Sequence, residues 1–231
     1  MQFVTPLVPG KILKRYKRFL ADVVLSNGEM VTAHTPNTGS MQTCWEPHWN
    51  VLLSKSSNPT RKLPYTLEMT HNGQSWIGVN THLPNKLAIE AINDGTIAEL
   101  TGYDSIRSEY KIGESRIDLL LEKKNQKCFV EIKNVSMLGD NKTAIFPDSV
   151  SKRGLKHLHE LTRLKELGHR ACMLFIVQRQ DVDLFSPAHK IDPEYAHGLF
   201  QAYEKGVEIL SYQCQLNENE IKISNPIVYL I

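Results

Sequence analysis

Apolar residues in the first 80 positions come in short runs broken by Pro, Gly and Asn. Phe19–Leu25 and Met30–His34 flank Ser26-Asn27-Gly28-Glu29, whose Asn-Gly pair signals a hairpin turn. Further strand-like runs cover Val51–Ser54, Leu63–Thr70 and Gln74–Val79, the last two separated by His71-Asn72-Gly73. Short strands at this spacing predict a small sandwich or barrel. Beyond residue 82 the pattern changes. Leu83-Pro84-Asn85 precedes a helical pattern over Lys86–Asn93, stopped by Asp94-Gly95. Two apolar runs, Arg116–Leu121 and Cys128–Val135, bracket the polar stretch Glu122–Lys127 and predict a β-hairpin. A longer helix is expected over Ser151–Leu167, with Leu155, Leu158, Leu161 and Leu164 as its apolar stripe and Gly168 just past its end. Arg170–Gln178 reads as a buried strand, Pro193–Lys205 as a helix ended by Gly206, and Val207–Tyr212 as another strand. Helices alternating with strands predict an α/β domain. The expected organisation is a β-barrel over residues 1–82 and an α/β domain over 83–231.

The hairpin carries charges where apolar residues would pack better. In "RIDLLLEKKNQKCFVEIKNV" these are Asp118, Glu131 and Lys133. Burying an isolated ion costs several kcal/mol, so each needs a partner. Glu131 and Lys133 share one strand face because side chains alternate. With Lys124-Asn125 as a two-residue turn, residue i pairs with residue 249 − i, which sets Asp118 opposite Glu131. Cβ atoms of such a pair lie about 4.5–5.5 Å apart. Two carboxylates that close repel, unless one takes up a proton or a cation joins them. A hard divalent ion held by oxygens, Mg²⁺ or Mn²⁺, meets that need. It would polarise a phosphoryl oxygen and activate water, while Lys133 orients that water or offsets transition-state charge. These are the parts needed to hydrolyse a phosphodiester. The alternative is a plain salt bridge between Glu131 and Lys133 on a solvated strand face.

Composition narrows the setting. The chain has 231 residues, 41% hydrophobic and 23% charged, as in ordinary globular proteins. The longest apolar run, Ala171–Val177, is too short to span a bilayer, so no membrane association is expected. The first twenty residues place charges where a signal peptide needs its apolar stretch, which points to the cytoplasm. Cys44, Cys128, Cys172 and Cys214 are scattered, so reduced thiols are expected rather than a disulfide framework or zinc knuckle. Residues 1–80 hold 8 Lys and Arg against 4 Asp and Glu, whereas residues 81–231 hold 19 against 21. A basic first part suggests an anionic partner.

Asp118 followed thirteen residues on by Glu131-Ile132-Lys133 resembles the Asp…Glu-x-Lys signature of the PD-(D/E)XK nuclease superfamily, the restriction-endonuclease-like fold. The wider set "RYKRFLADV", "HTPNTGSM", "SRIDLLL", "VEIKNV", "FPDSVSKRGLKHLHEL" and "GVEILSY" resembles the sugar fermentation stimulation protein A (SfsA) family over nearly the whole chain. That resemblance implies an N-terminal OB-fold domain, a PD-(D/E)XK-like α/β domain and DNA binding. It implies catalytic roles for Asp118, Glu131 and Lys133, a metal on Asp118 and Glu131, and the Ile132 carbonyl as a further ligand. Glu90 stands where some relatives place another acidic residue. Two departures are visible. The family's Thr-Glu-Arg-Gly is Ser151-Lys152-Arg153-Gly154 here, and its His-Cys-Pro-Asn-Thr-Gly is His34-Thr35-Pro36-Asn37-Thr38-Gly39. The first puts Lys152 where the family has an acid. The second argues against a required thiol.

"KILKRYKRF" supplies Lys11, Lys14, Arg15, Lys17 and Arg18 interleaved with Tyr16 and Phe19. Cations neutralise phosphates and aromatic rings stack on bases, the usual pattern of nucleic-acid binding on OB-folds. On a strand, Arg15 and Lys17 would share one face, and Lys14, Tyr16 and Arg18 the other. The alternative is an edge strand protected by charge. The loop "HTPNTGSM" reads as a structural turn rather than a phosphate cradle. His157 and His159 diverge on their helix and are expected, with Lys152, Arg153, Lys156 and Arg163, on a basic surface. Trp45, Trp49 and Trp76 are expected in the barrel's core or rim. Two functions compete: a Mg²⁺- or Mn²⁺-dependent DNA nuclease, and a noncatalytic, sequence-nonspecific DNA-binding regulator of sugar (maltose-type) utilisation. The sequence leaves the oligomeric state open, a homodimer included.

Overall fold

The computed structural model describes residues 1–113 and 115–231. Its first sheet runs through β1 (Val8–Tyr16), β2 (Leu20–Leu25), β3 (Met30–His34), β4 (Asn50–Lys55), β5 (Tyr65–His71) and β6 (Trp76–Gly78). The order is β3-β2-β1-β4-β5-β6, and a parallel pairing of β3 with β5 closes the first five strands into the barrel of an OB domain. Alternation decides its inside. Ala21, Val23 and Leu25 on β2 point inward with Ile12, Val31, Ala33, Leu53 and Leu67. Trp45 and Trp49 pack half-buried against this core, and Trp76 packs against the neighbouring domain's core.

β1 corrects one expectation. It ends at Tyr16, and Lys17 and Arg18 do not continue it with alternating faces. They form the turn into β2 with φ of 48° and 65°, while Tyr16 pairs with Leu20. The left-handed backbone that closes a tight hairpin overrides strand periodicity there.

The rest is an α/β domain. Its elements are α1 (Pro84–Asn93), β7 (Ser105–Ile112), β8 (Ser115–Lys123), β9 (Gln126–Val135), β10 (Met137–Leu138), β11 (Thr143–Phe146), α2 (Lys152–Glu166), β12 (Arg170–Val177), β13 (Leu184–Pro187), α3 (Pro193–Glu204), β14 (Glu208–Leu216), β15 (Ile221–Pro226) and β16 (Val228–Tyr229). The main sheet has the order β15-β14-β12-β9-β8-β7, and β12 lies parallel to both β9 and β14. α1 packs on one face, over Leu119, Val130, Ile132 and Leu174. α2 and α3 pack on the other, over Leu120, Phe129, Met173 and Phe175. β9 and β12 are therefore buried on both faces, which is why they read as continuous apolar runs. A small sheet, β10-β11-β13-β16, flanks this core.

Local chemistry sets the helix ends near the site. Ser151 caps α2 by accepting a hydrogen bond from the Gly154 N–H, and Gly168, at φ 86°, follows its end. Asp192 caps α3 from the Tyr195 N–H. The barrel and the α/β domain are joined through Arg179, which is fully buried. Its guanidinium donates to both Asp181 oxygens at 2.7 Å and to the Ser136 carbonyl at 2.7 Å, and its backbone bridges to Ile77 of β6. All four cysteines are free and buried, and burial pushes the Cys128 thiol up to about 11. Among the described residues no helix is long and apolar enough to cross a membrane.

Candidate active site

The hairpin register follows the 249 − i rule from Leu119–Val130 to Lys123–Gln126, around the turn at Lys124, φ 52°. The ladder stops one step short of the charged pair. Asp118 and Glu131 are not ladder partners, which corrects the expected direct pairing. The strands part, and Asp118 Oδ2 instead accepts a hydrogen bond from the Ile132 N–H at 2.8 Å. The diverging carboxylate thus takes up a backbone donor that ladder pairing would otherwise have satisfied. Asp118 Oδ1 accepts from Asn85 Nδ2 at 3.1 Å, a residue of the first turn of α1.

Glu131 lies on the α2 face of β9 and is 2% exposed. Its Oε1 accepts from Lys133 Nζ at 2.7 Å and is in close contact with His157 Nδ1 on α2. Its Oε2 is buried without a hydrogen-bond partner. Arg153 Nε points at His157 Nε2 at 3.4 Å, so when the ring is neutral its proton sits on Nδ1 and donates to Glu131. The Glu131–Lys133 contact is buried, not the solvated-face salt bridge set out as the alternative.

Burial pushes both carboxyls up, but the outcomes differ. Asp118 ends above the ordinary carboxylate range, because the Glu131 charge adds to burial and outweighs the Ile132 and Asn85 hydrogen bonds. Glu131 ends below it, because the His157 hydrogen bond and the Lys133 charge overcome burial. The three expected residues line one cleft of about 790 Å³ with Asn85, Glu109, Arg153 and His157. An ion held here would take Asp118, Glu131 Oε2 and the Ile132 carbonyl, an all-oxygen set suited to a hard cation. The unpartnered Oε2 fits that role. Among the described residues no three His, Cys, Asp or Glu side chains converge as a ready cage, so backbone and water oxygens would complete the shell.

Other expectations land elsewhere. Glu90 is exposed and bonds the Met1 amine at 2.7 Å, away from the cleft. His157 is not part of a basic surface: it is buried at the site, whereas His159 is exposed. The signal was present, because Gly154, His157, Leu158, Leu161 and Leu164 form one buried face at helical spacing. Glu109, φ 54°, interrupts the β7–β8 ladder opposite Asp118, a distortion with no distinct sequence signature.

The basic strand is partly engaged within the chain. Lys14 pairs with Asp22 at 3.2 Å, and Tyr16 donates to the same carboxylate at 3.0 Å. Arg15 donates to the Asn37 and Gly39 carbonyls at 2.9 and 3.0 Å, and Arg18 Nε to the Thr38 carbonyl at 2.8 Å. The His34–Gly39 loop is thus held from behind by two arginines, and Asn37 Oδ1 accepts from the Gly39 N–H. Lys11 and Lys17 are exposed. Lys11 lines a barrel groove of about 570 Å³ with Leu13, His48 and Trp76.

An OB barrel joined to an α/β domain, with Asp…Glu-x-Lys where two strands part, defines a two-domain class that the comparisons resolve further. The model of the SfsA N-terminal OB domain matches residues 13–79, and that of the sugar fermentation stimulation protein RE domain matches residues 82–220. The chain belongs to the sugar fermentation stimulation protein (SfsA) family. It is 50% identical over 232 residues to the sugar fermentation stimulation protein homolog of Citrifermentans bemidjiense, with all of both chains covered. To that of Maricaulis maris it is 50% identical over 228 residues, 98% of this chain and 97% of the relative. Among solved structures, Pyrococcus furiosus SfsA in complex with Ca²⁺ matches with a TM-score of 0.90 and 30% identity, covering 100% of this chain and 98% of that one.

Proposed function

We propose that this protein is a divalent-metal-dependent DNA phosphodiesterase whose OB domain contributes to DNA binding. The observation that carries this reading is the unpartnered, buried Oε2 of Glu131 beside an Asp118 carboxyl raised by burial and by Glu131. Lys133 pairs with only one Glu131 oxygen, so Oε2 and the raised Asp118 carboxyl are left to face a further cation. The relative described with Ca²⁺ supports an oxygen-ligated cation. A bound Mg²⁺ or Mn²⁺ would polarise a phosphoryl oxygen and acidify a water. The chain's own residues do the rest. The Ile132 N–H and Asn85 fix Asp118. His157 and Lys133 hold Oε1 of Glu131 and leave Oε2 free. The Lys133 ammonium, 13% exposed at the cleft, orients the attacking water and offsets charge developing on the phosphate.

Purified protein with Mn²⁺ is expected to nick or degrade DNA slowly, and Lys133→Ala to lower the rate about 10²–10³-fold with DNA affinity nearly intact. Wild-type-like cleavage by Lys133→Ala points to a contaminating nuclease. Absence of cleavage across metals and DNA forms favours the second reading, a noncatalytic DNA-binding regulator.

A further inference from the structure

Beside the carboxylate cleft lies a second pocket, of about 300 Å³, between the barrel's His34–Gly39 loop and the segment that leads into α2. The two share Thr81 and Asn134 as lining residues, so whatever occupies one abuts whatever occupies the other. The volume is at the small end for ligand sites and suits a single nucleoside-sized group. Phe146 forms part of an apolar wall, its ring supported behind by Phe175 and Tyr195 at 5.9 and 5.3 Å between centroids.

The polar side is anchored by one carboxylate. Asp148 Oδ2 faces the Met41 N–H at 3.5 Å, and Oδ1 faces the Ser149 hydroxyl at 3.4 Å. Both contacts are at the outer limit for a hydrogen bond, so the carboxylate keeps acceptor capacity for a ligand. The loop meets it closely: a Cβ on Gly39 would stand 2.0 Å from Asp148 Oδ2. Glycine is what lets that backbone and that carboxylate coexist. Arg15 and Arg18 hold three successive loop carbonyls, so the pocket's wall is pre-formed. Arg18 also lines the pocket, with its Nε turned to the Thr38 carbonyl, so a phosphate belongs on the Arg18 side, while the Asp148 carboxylate repels phosphate and accepts from the N–H groups of a base.

We propose that this pocket binds one unpaired guanine base of a strand whose backbone lies in the neighbouring cleft, with Asp148 as the specificity-determining acceptor. The strand's presence rests on the function proposed above. The choice of guanine follows from donor geometry. Its Watson–Crick edge offers two adjacent donors, N1–H and the 2-amino group, to the two carboxylate oxygens. Adenine, cytosine and thymine each offer one donor flanked by an acceptor. That edge is free only in an unpaired base, and Phe146 supplies the apolar surface such a base needs.

Binding of the 5′-monophosphates of deoxyguanosine, deoxyinosine, deoxyadenosine, deoxycytidine and thymidine, followed by NMR titration, tests this. Wild type is expected to bind dGMP about tenfold or more tighter than the others, deoxyinosine monophosphate included because it lacks the 2-amino donor. Asp148→Asn and Gly39→Ala, which displaces the carboxylate, are each expected to abolish the preference. Equal binding of all five, no binding at millimolar ligand, or a preference that survives both variants overturns the proposal. The deoxyinosine comparison needs only wild type, so a variant that misfolds leaves the result decisive. A Mn²⁺ titration of wild type separates the two readings. A guanine preference without metal binding keeps the pocket and removes the metal site. Metal-dependent cleavage without base preference does the reverse.

Discussion

Asp118 and Glu131 sit in one cleft yet contribute to stability with opposite pH dependence. A carboxyl raised in the folded state holds its proton better there than in the unfolded chain, so it favours folding at low pH. That advantage is lost as pH rises through the raised value, which is the Asp118 case. A lowered carboxyl favours folding above the ordinary glutamate range and loses that advantage as pH falls through its depressed value, the Glu131 case. Asp118→Asn should therefore leave the metal-free protein at neutral pH as stable as wild type or slightly more so, and should remove the stabilisation conferred by Mn²⁺. That stabilisation is about 2.7 kcal/mol at a hundredfold excess over Kd. Thermal melts with and without metal check both halves, and a large loss of metal-free stability would mean that the Ile132 and Asn85 bonds dominate the repulsion. His157→Ala should cost about 1–3 kcal/mol, because Glu131, still charged and buried, keeps only Lys133. His159→Ala, on the exposed side of α2, should stay within about 0.5 kcal/mol. Equal effects of the two in urea denaturation would return His157 to the surface role the sequence alone suggested.

At the scale of elements, legibility followed the strength of the local signal. The hairpin register was readable because a two-residue turn at Lys124-Asn125 and two apolar runs leave one alignment that buries Leu119, Leu121 and Val130 together. The α2 limits were readable from Ser151 and Gly168. Where the strands part was not, because the Asp118–Ile132 bond replaces ladder pairing and no residue type announces it. Nor did the sequence show β7 or the small β11–β13 sheet, whose strands are short or exposed and lack strict alternation. The basic strand failed differently. Its composition reads as a nucleic-acid face, but Arg15 and Arg18 reach the loop carbonyls 22 and 20 residues on, and sequence spacing carries no trace of such contacts. The Arg179 junction was equally hidden. Arg179→Ala leaves Asp181 and the Ser136 carbonyl without their buried partner, and should lower stability by about 3–5 kcal/mol. A loss below about 1 kcal/mol in denaturant titrations would show that Asp181 and the Ser136 carbonyl find other partners when the guanidinium is removed.

Across the whole molecule, the proposed function requires the basic barrel and the carboxylate cleft to act on the same strand. The Lys17–Arg18 turn adjoins the pocket beside the cleft, since Arg18 lines it, whereas Lys11 lies six residues back along β1 in the groove by Trp76. At about 3.3 Å per residue the strand from Lys11 to Tyr16, just before the turn, spans roughly 16 Å, the length of a few nucleotides. Lys14 is paired with Asp22, and Arg15 and Arg18 hold the loop, so reversing those charges would disturb the barrel as well as any interface. Lys11 and Lys17 are exposed, and a double reversal tests the path without that confusion. Each phosphate contact adds about 0.9 to the slope of log K against log salt on duplex DNA, so Lys11→Glu with Lys17→Glu should reduce the slope by about 2. The loss of affinity should be large at low salt and shrink as salt rises. Binding titrations at three salt concentrations measure it, and an unchanged slope would take β1 out of the DNA interface while leaving the Asp118, Glu131 and Lys133 site to be judged on cleavage alone.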